Sequence, residues 1–507
     1  MAKLKPGLVL LIVVLVISPV ASGFAQEEDR LRVTDQMVAD FGAVVEAEMV
    51  TFHIPGVAVA IIQDGNVLYT QGFGVRDVAT GEPFTPETRF RVGSTTKSMT
   101  SLLVAQAVDE GKLTWDTPVT EILPAFQTSV PDLTAKITVR DLMGMGTGLV
   151  SDDIRSLDWG AWTVDDLLAA VADQVAVGAY RVDYSYNNEV YALAGYAAVA
   201  AAGQDPTLEN YAALLQARLF DPAGMSSAIL TDDLSLLGDN YARSYEFTLG
   251  NTVDTPSLAL PVPINVIGPA GGVWVNIDDM ARYLVTQMNG GVTPDGTRIV
   301  SAENLGETWK PGVRSQQDEE DTHDVFYDMG WVNMTFRDVP ARFHDGGWEG
   351  YRTLMVVLPE ANVGLIIFAN HTFGDLYNLA MLETFAEMLY GLEPQALDNW
   401  HERFDTTYGS IEEQVAQLPP AVIAPGEVAP LLGEYEANWT VEQRDDDTLW
   451  LLHGPWQFAL QPLPMPYSFV VANSTALGTM VQFVVEGDQV SITLGEGDVS
   501  MSVKKVG

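Results

Sequence analysis

The chain contains no cysteine. That excludes disulfides, thiol catalysis, thiolate metal sites and a lipid-modified cysteine. Lysine is nearly as scarce, with eight residues in a chain of 507. Basic residues number 26 against 68 acidic ones, a formal net charge of −42. Such a surface repels nucleic acid and anionic lipid, so neither is an expected partner. It reads as a solvated coat that keeps the chain soluble, and the shortage of lysine is in keeping with life at high salt. Of the histidines, His53, His323, His371, His401 and His453 are scattered without ligand spacing, so no metal is expected. The glycine-rich run Gly346 to Gly350 lacks the lysine and hydroxyl residue that a phosphate loop requires.

Long apolar runs are also missing, with one exception at the N-terminus. Lys3 and Lys5 precede an apolar stretch from Leu8 to Ile17, and small residues follow around Ala21 to Ala25. The stretch falls short of the roughly 20 residues that span a bilayer. It has the layout of a secretory signal, cut after Ala25 or Gly23, which predicts a secreted or periplasmic protein with no stable membrane span. The competing reading is an uncleaved anchor.

With 47% hydrophobic and 9% aromatic residues, the rest is globular. Two β-rich runs from Val57 to Val75 flank Asp64-Gly65, a hairpin signal that makes an antiparallel pair the expected start of the mature fold. From Ser94 the apolar period becomes helical, through Met99, Leu102, Leu103 and Ala107, with Gly111 as a stop. Residues 116–290 read as helices and loops, among them helices from Thr163 and from Asn188. Runs at Ala341 to Gly347, Tyr351 to Pro359 and Val363 to Asn370 read as a meander, followed by a helix near Asn378 to Tyr390. This order predicts an α/β (α+β) core whose sheet joins the two ends of the chain. The expected division is a signal at 1–25, a main domain at 26–392, a proline-punctuated linker at 393–426 and a small all-β barrel or sandwich at 427–507.

The chemistry centres on Ser94, three residues before Lys97. A serine is a poor nucleophile until its proton is removed. At i,i+3 on one helix face the amine reaches the hydroxyl, and burial together with the helix N-terminus would lower its pKa toward that of a working base. The backbone N–H of Ser94 can also donate to an oxyanion. The same spacing recurs at Ser502 and Lys505, but on a strand-like run it puts the two on opposite faces, so that pair is set aside. Tyr186, Asn187 and Asn188 lie at a loop-to-helix junction, where Tyr186 can shuttle a proton and Asn188 can orient Lys97 and the substrate. His344, Asp345 and Gly346 lie on a strand, and Gly347 is the candidate for the second oxyanion N–H.

These three motifs, Ser94-Thr95-Thr96-Lys97, Tyr186-Asn187-Asn188 and His344-Asp345-Gly346, resemble those of the serine β-lactamase and penicillin-binding superfamily. The likeness is to its class C-like branch, which also holds esterases and D-aminopeptidases. Tyr191 and Gly195 match the family pattern after the second motif and set its register on Tyr186 rather than Tyr184. The likeness extends over residues 35–392, including Ile137 to Leu149, Gly268 to Leu284 and Tyr327 to Trp331. The C-terminal unit resembles the lipocalin-like domain often appended to these proteins.

The resemblance implies an antiparallel sheet flanked by helices and an all-helical region. It also implies an acyl-enzyme on Ser94, no cofactor, and a small-molecule or peptide substrate with an ester or amide bond. His344 would line the opposite wall and help protonate or position the substrate.

Two departures matter. Histidine and Asp345 stand where lysine and a small hydroxyl residue are usual, which disfavours a carboxylate-bearing substrate such as a β-lactam and favours a neutral ester or an amine. The family's usual His-Thr-Ser-Gly-Leu reads Met145 to Leu149, implying a lost polar contact at the site entrance. Trp159, Trp162 and Trp274 read as packing or cleft residues. The rival readings are a protein that acylates slowly without turnover, and a binding protein working through its β domain.

Overall fold

The computed structural model describes residues 31–151, 160–248, 257–259, 261–316, 325–409, 428–444, 447–463, 465–473, 479–487, 489–494 and 501–506. The signal segment, Trp159, His323 and most of the expected linker lie outside the described residues.

The organising element is a nine-stranded antiparallel sheet. Its order in space runs Glu82–Pro83, Asn66–Asp77, Gly56–Gln63, Val363–Ala369, Tyr351–Leu358, Val339–Trp348, Val332–Phe336, Val325–Tyr327 and Val313–Gln316. Gly56–Gln63 pairs with Val363–Ala369 from Val57 opposite Ala369 to Gln63 opposite Val363, so the sheet joins the two ends of the main domain. Gly56–Gln63 is apolar up to Ile62 and Val363–Ala369 is apolar throughout, because both faces are covered. Ala58, Ala60 and Ile62 enter one core, with the helical region. Val57, Val59 and Ile61 enter the other, with the terminal helices. Period-two geometry divides one continuous apolar run between two cores.

The hairpin is not the first element. Helix Asp35–Thr51 precedes it, capped by the Thr34 side chain, and buries Met37, Phe41, Val45 and Met49, a strict i,i+4 row, against the second core. The closing helix spans Gly374–Tyr390, beginning four residues before the expected start. The 393–426 stretch opens with a further helix, Ala396–Phe404, whose Trp400 and Phe404 are buried in the second core. That stretch is therefore packed at its start. Its polar look comes from an amphipathic helix that exposes its charged face.

The C-terminal unit is an eight-stranded antiparallel sheet in sequence order. An antiparallel bridge between Tyr435 and Lys505 returns the last strand to the first, giving a nearly closed barrel. It touches the main domain where Trp348 packs edge-on against Trp456, with ring centroids 5.9 Å apart. Among the described residues no helix is long and apolar enough to cross a membrane.

Candidate active site

Ser94 sits in a single 3-10 turn, Gly93–Thr95, that runs directly into helix Thr96–Asp109. That helix is buried on all sides from Thr96 to Ala107, and Lys97 is 0% exposed. The approach to the serine is held by a small sheet in which Phe90 and Arg91 pair with Val275 and Trp274.

On the other side, strand Val339–Trp348 pairs with Tyr351–Leu358 from Arg342 to Trp348, but with Val332–Phe336 only as far as Phe343. From His344 onward one edge is therefore free of strand partners, and that edge meets the serine turn. The approach demands glycine on both sides. A Cβ on Gly346 would lie 2.1 Å from the Val92 carbonyl oxygen, and one on Gly93, whose φ is +53°, would lie 2.7 Å from the Gly347 nitrogen. The N–H groups of Ser94 and Gly347 are thus brought to the same corner.

Lys97 Nζ lies 2.9 Å from Ser94 Oγ, 2.7 Å from Asn188 Oδ1 and 2.9 Å from the Ala270 carbonyl oxygen. Burial holds its pKa well below the usual lysine value, and Asp345 opposes this weakly. A neutral amine has two N–H donors and one lone pair. Asn188 and Ala270 take two of the amine's three contacts, and the third is the serine hydroxyl, so an amine in its neutral form could turn its lone pair to that hydroxyl.

Tyr186 donates its hydroxyl to Ser94 Oγ at 2.8 Å, and burial raises its pKa, so it stays protonated. Its ring also covers Lys97, with Nζ 4.7 Å from the centroid. Asn188 is the first residue of helix Asn188–Ala201, and Asn187 caps that helix by accepting from the Val190 N–H. From one turn further on, Tyr191 donates to the Lys97 carbonyl at 2.8 Å. The second motif and the serine helix are therefore tied at two levels.

Ser94, Lys97, Tyr186, Asn188, Gly346 and Gly347 converge. His344 stands one step back. Its Nε2 is 2.9 Å from the Tyr327 hydroxyl and its Nδ1 is 2.5 Å from the Asp345 carbonyl oxygen. Burial pushes its pKa down to about 4. Both ring nitrogens are engaged and the ring is neutral at pH 7, so it has no proton to give. This arrangement suits the positioning half of the expected role, exerted through Tyr327.

Asp345 is directed outward, with its side chain 67% exposed. Strand alternation places it on the opposite face from His344 and Gly346. Met145 stands at the entrance: its backbone is left-handed, with φ of +52°, and its sulfur accepts from the Asn187 N–H at 3.3 Å. Trp274 is buried in the first core.

Two participants escaped the sequence. The Ala270 carbonyl is backbone and carries no residue signature. Tyr327 was visible within Tyr327 to Trp331, but nothing in the spacing tied it to His344, 17 residues away.

The Beta-lactamase family model matches residues 36–383. Unguisins hydrolase ungD' of Aspergillus campestris (strain IBT 28561) is 24% identical over 486 residues, covering 89% of this chain and 87% of the relative. Penicillin-binding protein 4 of Amycolatopsis lactamdurans is 28% identical over 386 residues, covering 76% of this chain and 93% of the relative. Among solved structures, the octameric penicillin-binding protein homologue from Pyrococcus abyssi matches with a TM-score of 0.57 and 20% identity, over 92% of this chain and 100% of that one. With the family model spanning both the serine turn and the free strand edge, the chain belongs to the beta-lactamase family of serine hydrolases.

Proposed function

We propose that this protein is exported and hydrolyses an ester or amide through an acyl-enzyme on Ser94. The observation that carries the reading is the buried Lys97 amine, 2.9 Å from Ser94 Oγ and otherwise held by Asn188 and Ala270.

Ser94 Oγ attacks the acyl carbonyl carbon while its proton passes to Lys97 Nζ. The N–H groups of Ser94 and Gly347 hold the oxyanion. Tyr186, kept protonated by burial, gives its proton to the leaving atom, and the proton that Lys97 took from Ser94 returns to the tyrosine oxygen as the leaving group departs. Water then enters along the leaving-group path, the same pair takes its proton, and the carboxylic acid departs.

The third motif carries histidine where a lysine would meet a substrate carboxylate, and burial disfavours the charged form of His344. This favours neutral esters, amides or amine-bearing substrates over β-lactams. The fungal relative is likewise named a hydrolase. The division at 26–392, 393–426 and 427–507 belongs to the same proposal.

The test is hydrolysis of p-nitrophenyl acetate and butyrate, a D-alanyl anilide and nitrocefin by wild type beside Ser94→Ala. Turnover of the ester or anilide, absent in the variant, is expected. Equal inertness of both proteins toward all four would overturn the reading.

A further inference from the structure

The catalytic account leaves Glu349 unused. It lies in the turn between Val339–Trp348 and Tyr351–Leu358, with a left-handed φ of +49° that is uncommon for a non-glycine residue. It is 2% exposed, and neither carboxyl oxygen has a hydrogen-bond partner. Burial pushes its carboxyl up to about 8, helped by Glu246 and opposed by Arg352 and Arg91.

Neither arginine reaches the carboxyl with a hydrogen bond, although Arg91 Nε is itself a buried donor without a partner. Arg91 pairs with Asp232 and donates to the Val262 carbonyl at 3.2 Å. Arg352 donates to Asp375 at 2.7 Å and to the backbone carbonyls of Glu349 and Tyr351. A strained residue with a buried, orphaned carboxyl is costly to fold. Such a cost points to a partner from outside the chain.

Glu349 lines a cavity of about 130 Å³ together with Arg91, Arg243, Asp232, Trp274, Trp348 and Tyr351. The indole rings of Trp274 and Trp348 lie 5.7 and 5.8 Å from the Arg91 guanidinium, so these walls already hold one cation over their faces. The cavity adjoins the catalytic corner. Arg91 precedes Ser94 by three residues, and Trp348 follows Gly347 on the strand face it shares with Gly346. An acyl chain leaving Ser94 away from His344 and Tyr327 runs toward it.

We propose that this cavity is a subsite for a cationic group, a guanidinium or alkylammonium, held by the Glu349 carboxylate between Trp348, Trp274 and Tyr351. An ionised carboxylate accepts such a fork in bidentate fashion. The substrate's acyl chain is one source of the cation and a free amine the other. The placement beside the substrate rests on the hydrolase reading, whereas binding of the cation does not.

The first arm compares p-nitrophenyl 4-guanidinobutanoate with its neutral isostere, p-nitrophenyl 6-methylheptanoate, in wild type and Glu349→Gln. A hydrogen bond to a charged group supports a preference of about 10- to 150-fold in kcat/KM for the cationic ester. In Glu349→Gln the ratio falls to near one. The second arm titrates n-butylguanidine into the Ser94→Ala protein by calorimetry at pH 7, in buffers of different ionisation enthalpy. Because the empty carboxyl is protonated there, binding releases close to one proton, a signature that a structural role for Glu349 would not produce.

Preference in the first arm assigns the cavity to the substrate. Binding with proton release but no preference assigns it to free amines. Absence of both, or a preference that survives Glu349→Gln, overturns the proposal. If wild type hydrolyses neither ester, the calorimetry alone decides the proposal, and the hydrolase reading is judged on its own four substrates. Glu349→Asn, a residue suited to left-handed backbone, serves if Glu349→Gln fails to fold.

Discussion

Replacing Tyr186 by phenylalanine removes one oxygen and leaves the ring. The lost hydroxyl is the donor to Ser94 Oγ at 2.8 Å. The ring still covers Lys97 and still meets Tyr327 edge-on, with centroids 6.1 Å apart. Ser94 Oγ keeps Lys97 as a partner, so no buried atom is orphaned, and the structural cost is one hydrogen bond of about 1 kcal/mol.

The catalytic cost depends on the leaving group. An amine has to be protonated as it departs, and losing the acid that does so costs about 10²- to 10⁴-fold, or roughly 3 to 5 kcal/mol in the barrier. A p-nitrophenolate departs without a proton, so only positioning is lost, about tenfold or less. The assay is kcat/KM for an amide and for a p-nitrophenyl ester sharing one acyl group, in wild type and Tyr186→Phe, with melting temperatures as the control. Equal losses on the two substrates would refute the assignment of Tyr186 as the proton donor.

Further expectations follow from the same geometry. Lys97→Met should lower kcat by about 10²- to 10⁴-fold, the range for a lost general base, while the protein still melts cooperatively. The pH profile of kcat/KM should rise through the pKa of Lys97, well below the ordinary lysine value because the amine is buried; an acid limb near 10 would contradict its role as base. Glu349 binds its proton more tightly folded than unfolded, so wild type loses stability as pH rises from the ordinary glutamate range through about 8. Glu349→Gln should therefore gain in melting temperature relative to wild type as pH goes from 5 to 9, and a gap independent of pH would count against this. Trp456→Ala empties a buried site against Trp348 and should destabilise the barrel by about 3 to 5 kcal/mol. A fall in kcat beyond that seen for an equally destabilising barrel variant remote from Trp348 would show that the barrel steadies the oxyanion strand.

Much of this arrangement was legible because the chemistry depends on short local spacings. Ser94 and Lys97 announce themselves within four residues, and Tyr186 and Asn188 within three. The meander from Ala341 to Asn370 was legible because a sheet buried on both faces imposes continuous apolar runs. Helix Asp35–Thr51 was passed over beside a strong hairpin signal, although Met37, Phe41, Val45 and Met49 mark its buried row. Tertiary contacts alone revealed the rest. The partner of His344 is a tyrosine in another strand, the second acceptor of Lys97 is a backbone carbonyl 173 residues away, and Glu349 faces a cavity whose other walls come from segments distant in sequence.

The central claim is that Ser94 carries the acyl group. Intact-mass analysis after rapid acid quench of wild type with p-nitrophenyl butyrate, followed by peptide mapping, tests it most directly. The account predicts one butyryl adduct on the peptide containing Ser94, absent from Ser94→Ala and accumulating when deacylation is slowed at low pH. An adduct on another residue, or undiminished turnover by Ser94→Ala, would contradict it.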